Sequence, residues 1–391
     1  MKLFYQIVCC SLVLLLTACG GGGTPTYTVG GTVSGLTGGS LVLKNNGGDD
    51  LTISANSTSF TFTTALASGA AYAVSAGTRP SRLACDITNN TGTIAGANVT
   101  GVTITCITPV YVTNTGSDTV SMYAMDTKTG VPTALSTPTV ATGNTPYSIT
   151  VNSAGTFAYV ANAFGNTVSM YAINASSGQL TALSTPTVAT GDGPISIAVN
   201  PTGNFAYVAN AFCNTVSMYA INASSGQLTA LATPTVATRG PASIAFNPAG
   251  TFAYVTNGTG DTVSMYAINA TTGVLTALST PTVATGNNPK GIAVNPAGTF
   301  AYVANRDGNT VSMYAIDAST GILTALATPT VATGTNPTLI TLNSAGTFAY
   351  VTNNGSDTVS MYAINATTGV LTALSTPTVA TGGSPWSITF K

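Results

Sequence analysis

The tetrapeptide Tyr-Val-Thr/Ala-Asn begins at Tyr111, Tyr159, Tyr207, Tyr254, Tyr302 and Tyr350, at offsets of 48, 48, 47, 48 and 48 residues. Six copies of one unit thus fill residues 109–391. A chain built this way must bury each unit against the next, because one short unit cannot form a core alone. The copies also provide an internal comparison. Where all six agree, the unit needs that residue; where they differ, the position is free or has been put to use.

Each copy reads as four short strands. In the second, these are Ser148 to Val151, Phe157 to Val160, Thr167 to Ile173 and Leu180 to Val188, separated by Asn/Gly turn clusters. On the third strand, Val168, Met170 and Ala172 point one way and Ser169, Tyr171 and Ile173 the other. Both faces are apolar or small, as expected of a sheet covered on both sides. Four strands in a period of 40–50 residues is the spacing of a β-propeller blade. The fourth strand carries a proline in every copy (Pro138, Pro186, Pro234, Pro281, Pro329, Pro377), which places it on the outer edge. The first strand, introduced by Pro146, Pro194, Pro241, Pro289, Pro337 or Pro385, then lines the centre. The array opens on a second strand at Tyr111 and ends on a lone first strand, Pro385 to Phe390. The expected fold is therefore all-β: a six-bladed β-propeller whose C-terminal strand completes blade one.

The Tyr-Val-Thr-Asn run and the following Val-Ser-Met-Tyr-Ala-Ile-Asn-Ala-Thr-Thr-Gly-Val-Leu-Thr-Ala-Leu resemble the YVTN and lactonase-like propellers, which include the propeller type of 6-phosphogluconolactonase. The resemblance spans the repeat region and implies a propeller fold, usually of seven blades. It also implies a lactone hydrolase whose site uses His, Glu and Arg. This chain has no His and no Glu, so the acid/base members of that site map onto no position here.

Only 5% of the 391 residues are charged and the formal net charge is −1. That balance offers no electrostatic footprint for nucleic acid and no polybasic patch for anionic lipid heads. At the N-terminus, Lys2 precedes an apolar run that ends in Leu16-Thr17-Ala18-Cys19 and four glycines. This resembles a bacterial lipoprotein signal. It implies a signal peptide over 1–18, acylation of Cys19, a Gly-rich tether over 19–26, and a lipid-anchored place in the outer membrane, periplasmic or surface-facing. A plain secretory signal is the alternative.

Residues 27–108 read as a separate small β-sandwich, similar to Ig- or transthyretin-like spacer modules, with the repeat domain over 109–391. Cys85 and Cys106 flank a short β-rich stretch, and a disulfide is the default in an oxidising compartment. Two free thiols remain the alternative, since spacing alone does not fix geometry. Cys213 is left unpaired.

Chemistry, if any, is expected on one face of the propeller. There the second-to-third turns and the crossovers between blades differ from copy to copy, whereas the opposite face repeats nearly verbatim. The differing positions carry Trp386, Tyr147, Phe164, Phe212, Asp192, Arg239, Lys290, Arg306 and Asp307. An aromatic and polar funnel of this kind suits a carbohydrate, a peptide or an envelope protein. Unconstrained drift of loops is the competing account. No catalytic residue, cofactor or metal site is assigned; Asn305-Arg306-Asp307-Gly308-Asn309 is better explained as a hairpin turn than as a cation loop. The expectation is a lipid-anchored, non-catalytic binding protein of the cell envelope. The alternatives are an Asp-dependent lactonase and a purely structural surface module.

Overall fold

The computed structural model describes residues 24–126 and 130–388. The expected signal peptide and Cys19 lie outside the described residues. The repeats form five four-stranded antiparallel sheets, each ordered first, second, third, fourth strand along the chain. The first copy supplies three strands, the C-terminal half of Val99–Asn114 followed by Thr119–Met125 and Pro132–Ala141. This all-β arrangement of sheets is consistent with a propeller.

First strands of successive repeats lie side by side: Pro146–Val151 contacts Pro194–Val199, which contacts Pro241–Phe246, and so on to Pro337–Leu342. They are therefore innermost, and the solvent-exposed fourth strands form the rim. The fourth-strand proline sits where the ladder is broken. Ser169 pairs with Thr187 and Tyr171 with Ala182, so residues 183–186 bulge opposite Met170 alone. A residue without an N–H costs nothing there, and the bulge blunts the outer edge.

Contact between repeats uses both faces of each sheet. Tyr159, Val168 and Met170 of repeat two pack with Ile197, Val208, Tyr219 and Leu228 of repeat three, and equivalent clusters join later repeats. Two tyrosines in each of repeats two to five add direction to this burial. The Tyr159 hydroxyl donates forward to the Gly226 carbonyl at 2.9 Å, and the Tyr219 hydroxyl donates back to the Ala189 carbonyl at 2.7 Å. Leu228 N–H donates to the Met170 sulfur at 3.3 Å, so even the thioether has a polar role. Phe157 lies against Gly226, where φ is +72° and an added Cβ would come within 2.3 Å of the ring. The underside turn is therefore uniform for a mechanical reason: it needs a glycine for its left-handed backbone and for the close approach of the ring.

Before the repeats, residues of the sheet Gly48–Ser54, Ser40–Asn45, Ala71–Thr78, Thr91–Thr93 and those of the strands Val29–Ser34, Ser59–Thr61 and Ala84–Thr88 enclose one apolar core. Val29, Leu41, Leu43, Val102 and Ile104 are fully buried in it. The strand Val99–Asn114 pairs with Val29–Ser34 and Ala84–Thr88 through its first half and with Thr119–Met125 through its second. It passes without a break through position 108, so the expected domain boundary falls inside a strand. Cys85 and Cys106 face each other in that ladder and are joined as a disulfide.

The C-terminal tail differs from expectation. Residues 385–388 are not in a strand and form no ladder on Val99–Asn114, and residues 389–391 lie outside the described residues. Side-chain and hydroxyl contacts hold this end instead. Thr338 and Thr352 hydroxyls donate to the Trp386 carbonyl at 2.8 and 3.3 Å, and the Ser384 N–H donates to the Asp357 carboxylate at 2.6 Å.

Candidate functional site

The face that varies between copies is built on one recurring clamp. The residue before each third strand is Asp118, Asn166, Asn214, Asp261, Asn309 or Asp357, and each has φ between +49° and +58°. Asn and Asp tolerate this left-handed backbone better than other side-chain-bearing residues. Each side-chain oxygen accepts an N–H from the following crossover: Thr145, Gly193, Gly240, Asn288, Asn336 and Ser384 in turn. The turns and crossovers are thereby tied into one rigid face. The repeat spacing does not mark these six residues as functional, although an Asp or Asn precedes every Thr-Val-Ser-Met-Tyr.

Behind the clamp lies a buried polar node. Asn162 donates to the Thr167 and Ser169 hydroxyls at 3.1 and 2.9 Å, and accepts from Thr142 at 2.9 Å. The same acceptance recurs from Thr190 to Asn210, Thr238 to Asn257 and Thr333 to Asn353. Repeat five breaks the pattern. Thr285 turns to the Gly286 carbonyl, and the buried Asn305 oxygen has no partner. The adjoining Arg306 carries a buried Nε, also without a partner. Buried polar atoms are rarely left unpaired, and such a departure calls for an explanation.

The same neighbourhood collects the residues expected at the mouth. Lys290 is half-buried; burial pushes its ammonium below the usual lysine range, Arg306 pushes it further, and Asp307 opposes both. Asp307 accepts from the Asn288 amide at 3.0 Å. Across the opening, on repeat two, burial pushes the Tyr147 phenol upward while the charge of Arg306 draws it down. Tyr147 meets Trp386 edge-to-face, with centroids 5.7 Å apart. Lys290, Arg306 and Asp307 thus share one electrostatic neighbourhood, and the charge of Arg306 extends to Tyr147, which holds Trp386.

The remaining candidates do not join it. Phe164 and Phe212 are 68% and 64% exposed and pair with each other at 6.4 Å. Asp192 lies beside them, accepting from the Asn166 amide at 2.8 Å, and its backbone carbonyl accepts the Phe212 N–H. The Phe212 ring covers Gly193, at φ +65°, where a Cβ would come within 2.5 Å of it. Arg239 is exposed in the next crossover, beside Gly260. Cys213, half-buried, contacts the Thr215 hydroxyl at 3.2 Å. Among the described residues no three of His, Cys, Asp or Glu come together.

The family model for lactonase, seven-bladed β-propeller, matches residues 104–289 and 279–390. Among solved structures, a candidate 6-phosphogluconolactonase from Bacteroides fragilis aligns with TM-score 0.62 and 21% identity, over 72% of this chain and 82% of that one. A Lactobacillus plantarum protein aligns with TM-score 0.61 and 25% identity over 71% and 83%. A functionally unknown protein from Desulfotomaculum acetoxidans aligns with TM-score 0.56 and 19% identity over 67% and 77%. No curated protein matches the chain.

Proposed function

Because the chain belongs to the lactonase family of β-propellers, we propose that it keeps the family's binding face without its acid/base chemistry: it binds, at the central mouth, a ligand that joins an apolar ring face to an acidic group. A sugar acid is the simplest such ligand. The observation that carries this reading is the unpartnered, buried Nε of Arg306 beside the half-buried Lys290, opposite the Tyr147–Trp386 pair. A carboxylate beside the guanidinium would offset its charge and relieve the repulsion between the two cations. The aromatic pair offers a face for the ring carbons.

The reading includes a ring of six blades rather than the family's seven. What supports six is the repeat count, together with the contacts of Trp386 to both Thr338 in repeat six and Tyr147 in repeat two. It also includes a lipid anchor at Cys19 in the cell envelope, with residues 27–108 acting as a spacer. Family membership favours lactone hydrolysis as the second reading, in which Asp307 would have to act as base beside Lys290.

Titration with glucuronate and with glucose separates the possibilities. The expected result is saturable binding of glucuronate that falls at least tenfold in Arg306→Gln and Lys290→Met, with glucose much weaker. Equal affinity for both sugars, or no effect of either substitution, overturns the binding reading. Turnover of a lactone panel abolished by Asp307→Asn would establish the hydrolase instead.

A further inference from the structure

A cavity of about 660 Å³ lies away from the variable face, where the N-terminal module meets the underside of repeats one and two. That volume falls within the range of small-molecule sites. Its wall is apolar along Leu83, Pro109, Val110, Met125, Val151 and Ile173. The seam that encloses it is fixed: the Cys85 N–H donates to the Ala175 carbonyl at 2.9 Å, and the Arg82 backbone packs against Gly155.

Two of the chain's nine basic residues, Arg79 and Arg82, line this one cavity. Arg79 is half-buried and reaches only neutral acceptors, the Cys85 carbonyl at 3.5 Å and the Ser176 hydroxyl at 3.4 Å. Arg82 is held at φ +68°, an unusual backbone for a long side chain. The one ion pair between described residues joins Lys44 to Asp50, and neither arginine has a carboxylate of a described residue within 4.0 Å. An apolar chamber lined by the half-buried Arg79, with the exposed Arg82 at its edge, is complementary to an amphipathic anion.

We propose that this seam cavity binds a medium-chain carboxylate, its head at Arg79 and Arg82 and its alkyl chain against Leu83, Met125, Val151 and Ile173. Binding there would bridge the module and the repeats, and the ligand would stabilise their junction by mass action. The site is separate from the mouth and does not depend on what the mouth binds.

Calorimetric titration of the intact protein with decanoate, 1-decanol and butyrate tests it. Decanoate should saturate one site with a negative heat-capacity change, the mark of buried apolar surface. Decanol, lacking the charge, and butyrate, lacking the chain, should each bind at least tenfold more weakly. Arg82→Gln should weaken decanoate at least tenfold and leave decanol unchanged. Ala154→Trp, which fills the cavity from an exposed turn without altering charge, should abolish decanoate binding, and Arg306→Gln should leave it intact. The proposal is overturned by absence of saturable decanoate binding, by equal affinity for decanol, or by loss of binding in Arg306→Gln with retention in Arg82→Gln.

Discussion

The Trp386 ring stands edge-on to the Tyr147 ring, 5.7 Å between centroids, and so joins the last segment of the chain to repeat two. The Trp386 carbonyl meanwhile accepts the Thr338 and Thr352 hydroxyls of repeat six. This one residue therefore touches both repeat six and repeat two. Trp386→Ala should therefore destabilise the repeat region although the side chain is 46% exposed. A fully buried Trp→Ala costs about 3–5 kcal/mol; partial exposure reduces the expectation to about 1–2 kcal/mol. Truncation after Gly383 should cost more, because the hydroxyl contacts go as well. Urea denaturation followed by tyrosine fluorescence measures both, and an unchanged midpoint in the truncated chain would rule out a closing role.

Tyr159 and Gly226 form the equivalent lock between repeats two and three. Tyr159→Phe removes a buried donor and leaves the Gly226 carbonyl without it, which should cost about 1–2 kcal/mol. Gly226→Ala should cost more, about 2–3 kcal/mol. It places a Cβ within 2.3 Å of the Phe157 ring and at a φ of +72°, adding steric conflict to the strain of a left-handed alanine. Differential scanning calorimetry of the two single variants gives the ranking. A Gly226→Ala protein as stable as wild type would mean that the underside turn is uniform for some other reason than packing.

That lock shows which parts of this molecule were legible beforehand and which were not. Six in-phase copies, with a proline in each fourth strand, sufficed to order the strands from centre to rim, and Pro186 does sit in a broken ladder on the outer strand. The uniform underside and the variable face were visible too, but their contrast was open to a different explanation. Gly226 and its equivalents are held constant by Phe157, Tyr159 and the backbone, so the sameness of one face says little about use of the other. Variation between copies marks nine candidate residues, and the structure divides them. Lys290, Arg306 and Asp307 share one neighbourhood that extends to Tyr147 and Trp386, whereas Phe164, Phe212 and Asp192 form a separate patch. Ring radius and loop reach decide that division, and one repeat's sequence contains neither. The seam cavity was invisible for the same reason, since Arg79 and Val151 are far apart along the chain.

The mouth should report its own charge through pH. Lys290 is depressed by burial and by Arg306, so the folded chain loses this proton at a lower pH than the unfolded chain, whose lysines titrate near 10.4. Between those two values the unfolded state binds more protons, and stability must rise with pH. Below the folded value the charged ammonium is a standing cost. Lys290→Met should then be more stable than wild type at pH 7, and the difference should shrink toward pH 10. Paired urea titrations from pH 7 to 10 check the sign. A gap that widens with pH would mean that Asp307, and not Arg306, dominates the surroundings of Lys290.

The tyrosines make the opposite prediction at the alkaline end. Burial pushes Tyr314 up to about 12 and holds Tyr111, Tyr159, Tyr207, Tyr254 and Tyr302 well above the usual phenol range. Unfolded tyrosines ionise near pH 10. Above that value the folded state holds more protons than the unfolded, and stability must fall as pH rises. Because these phenols lock neighbouring repeats, they cannot ionise one at a time without breaking a contact between sheets. Absorbance at 295 nm, which reads tyrosinate, should therefore show a small early rise from the more accessible phenols, then a steep, cooperative step coincident with loss of the β-sheet circular dichroism. The expected steepness exceeds that of a single ionisation. Gradual titration from pH 9.5 with the sheet signal intact would show that the inter-repeat hydroxyls are reached by solvent and that the repeats are held by apolar burial alone.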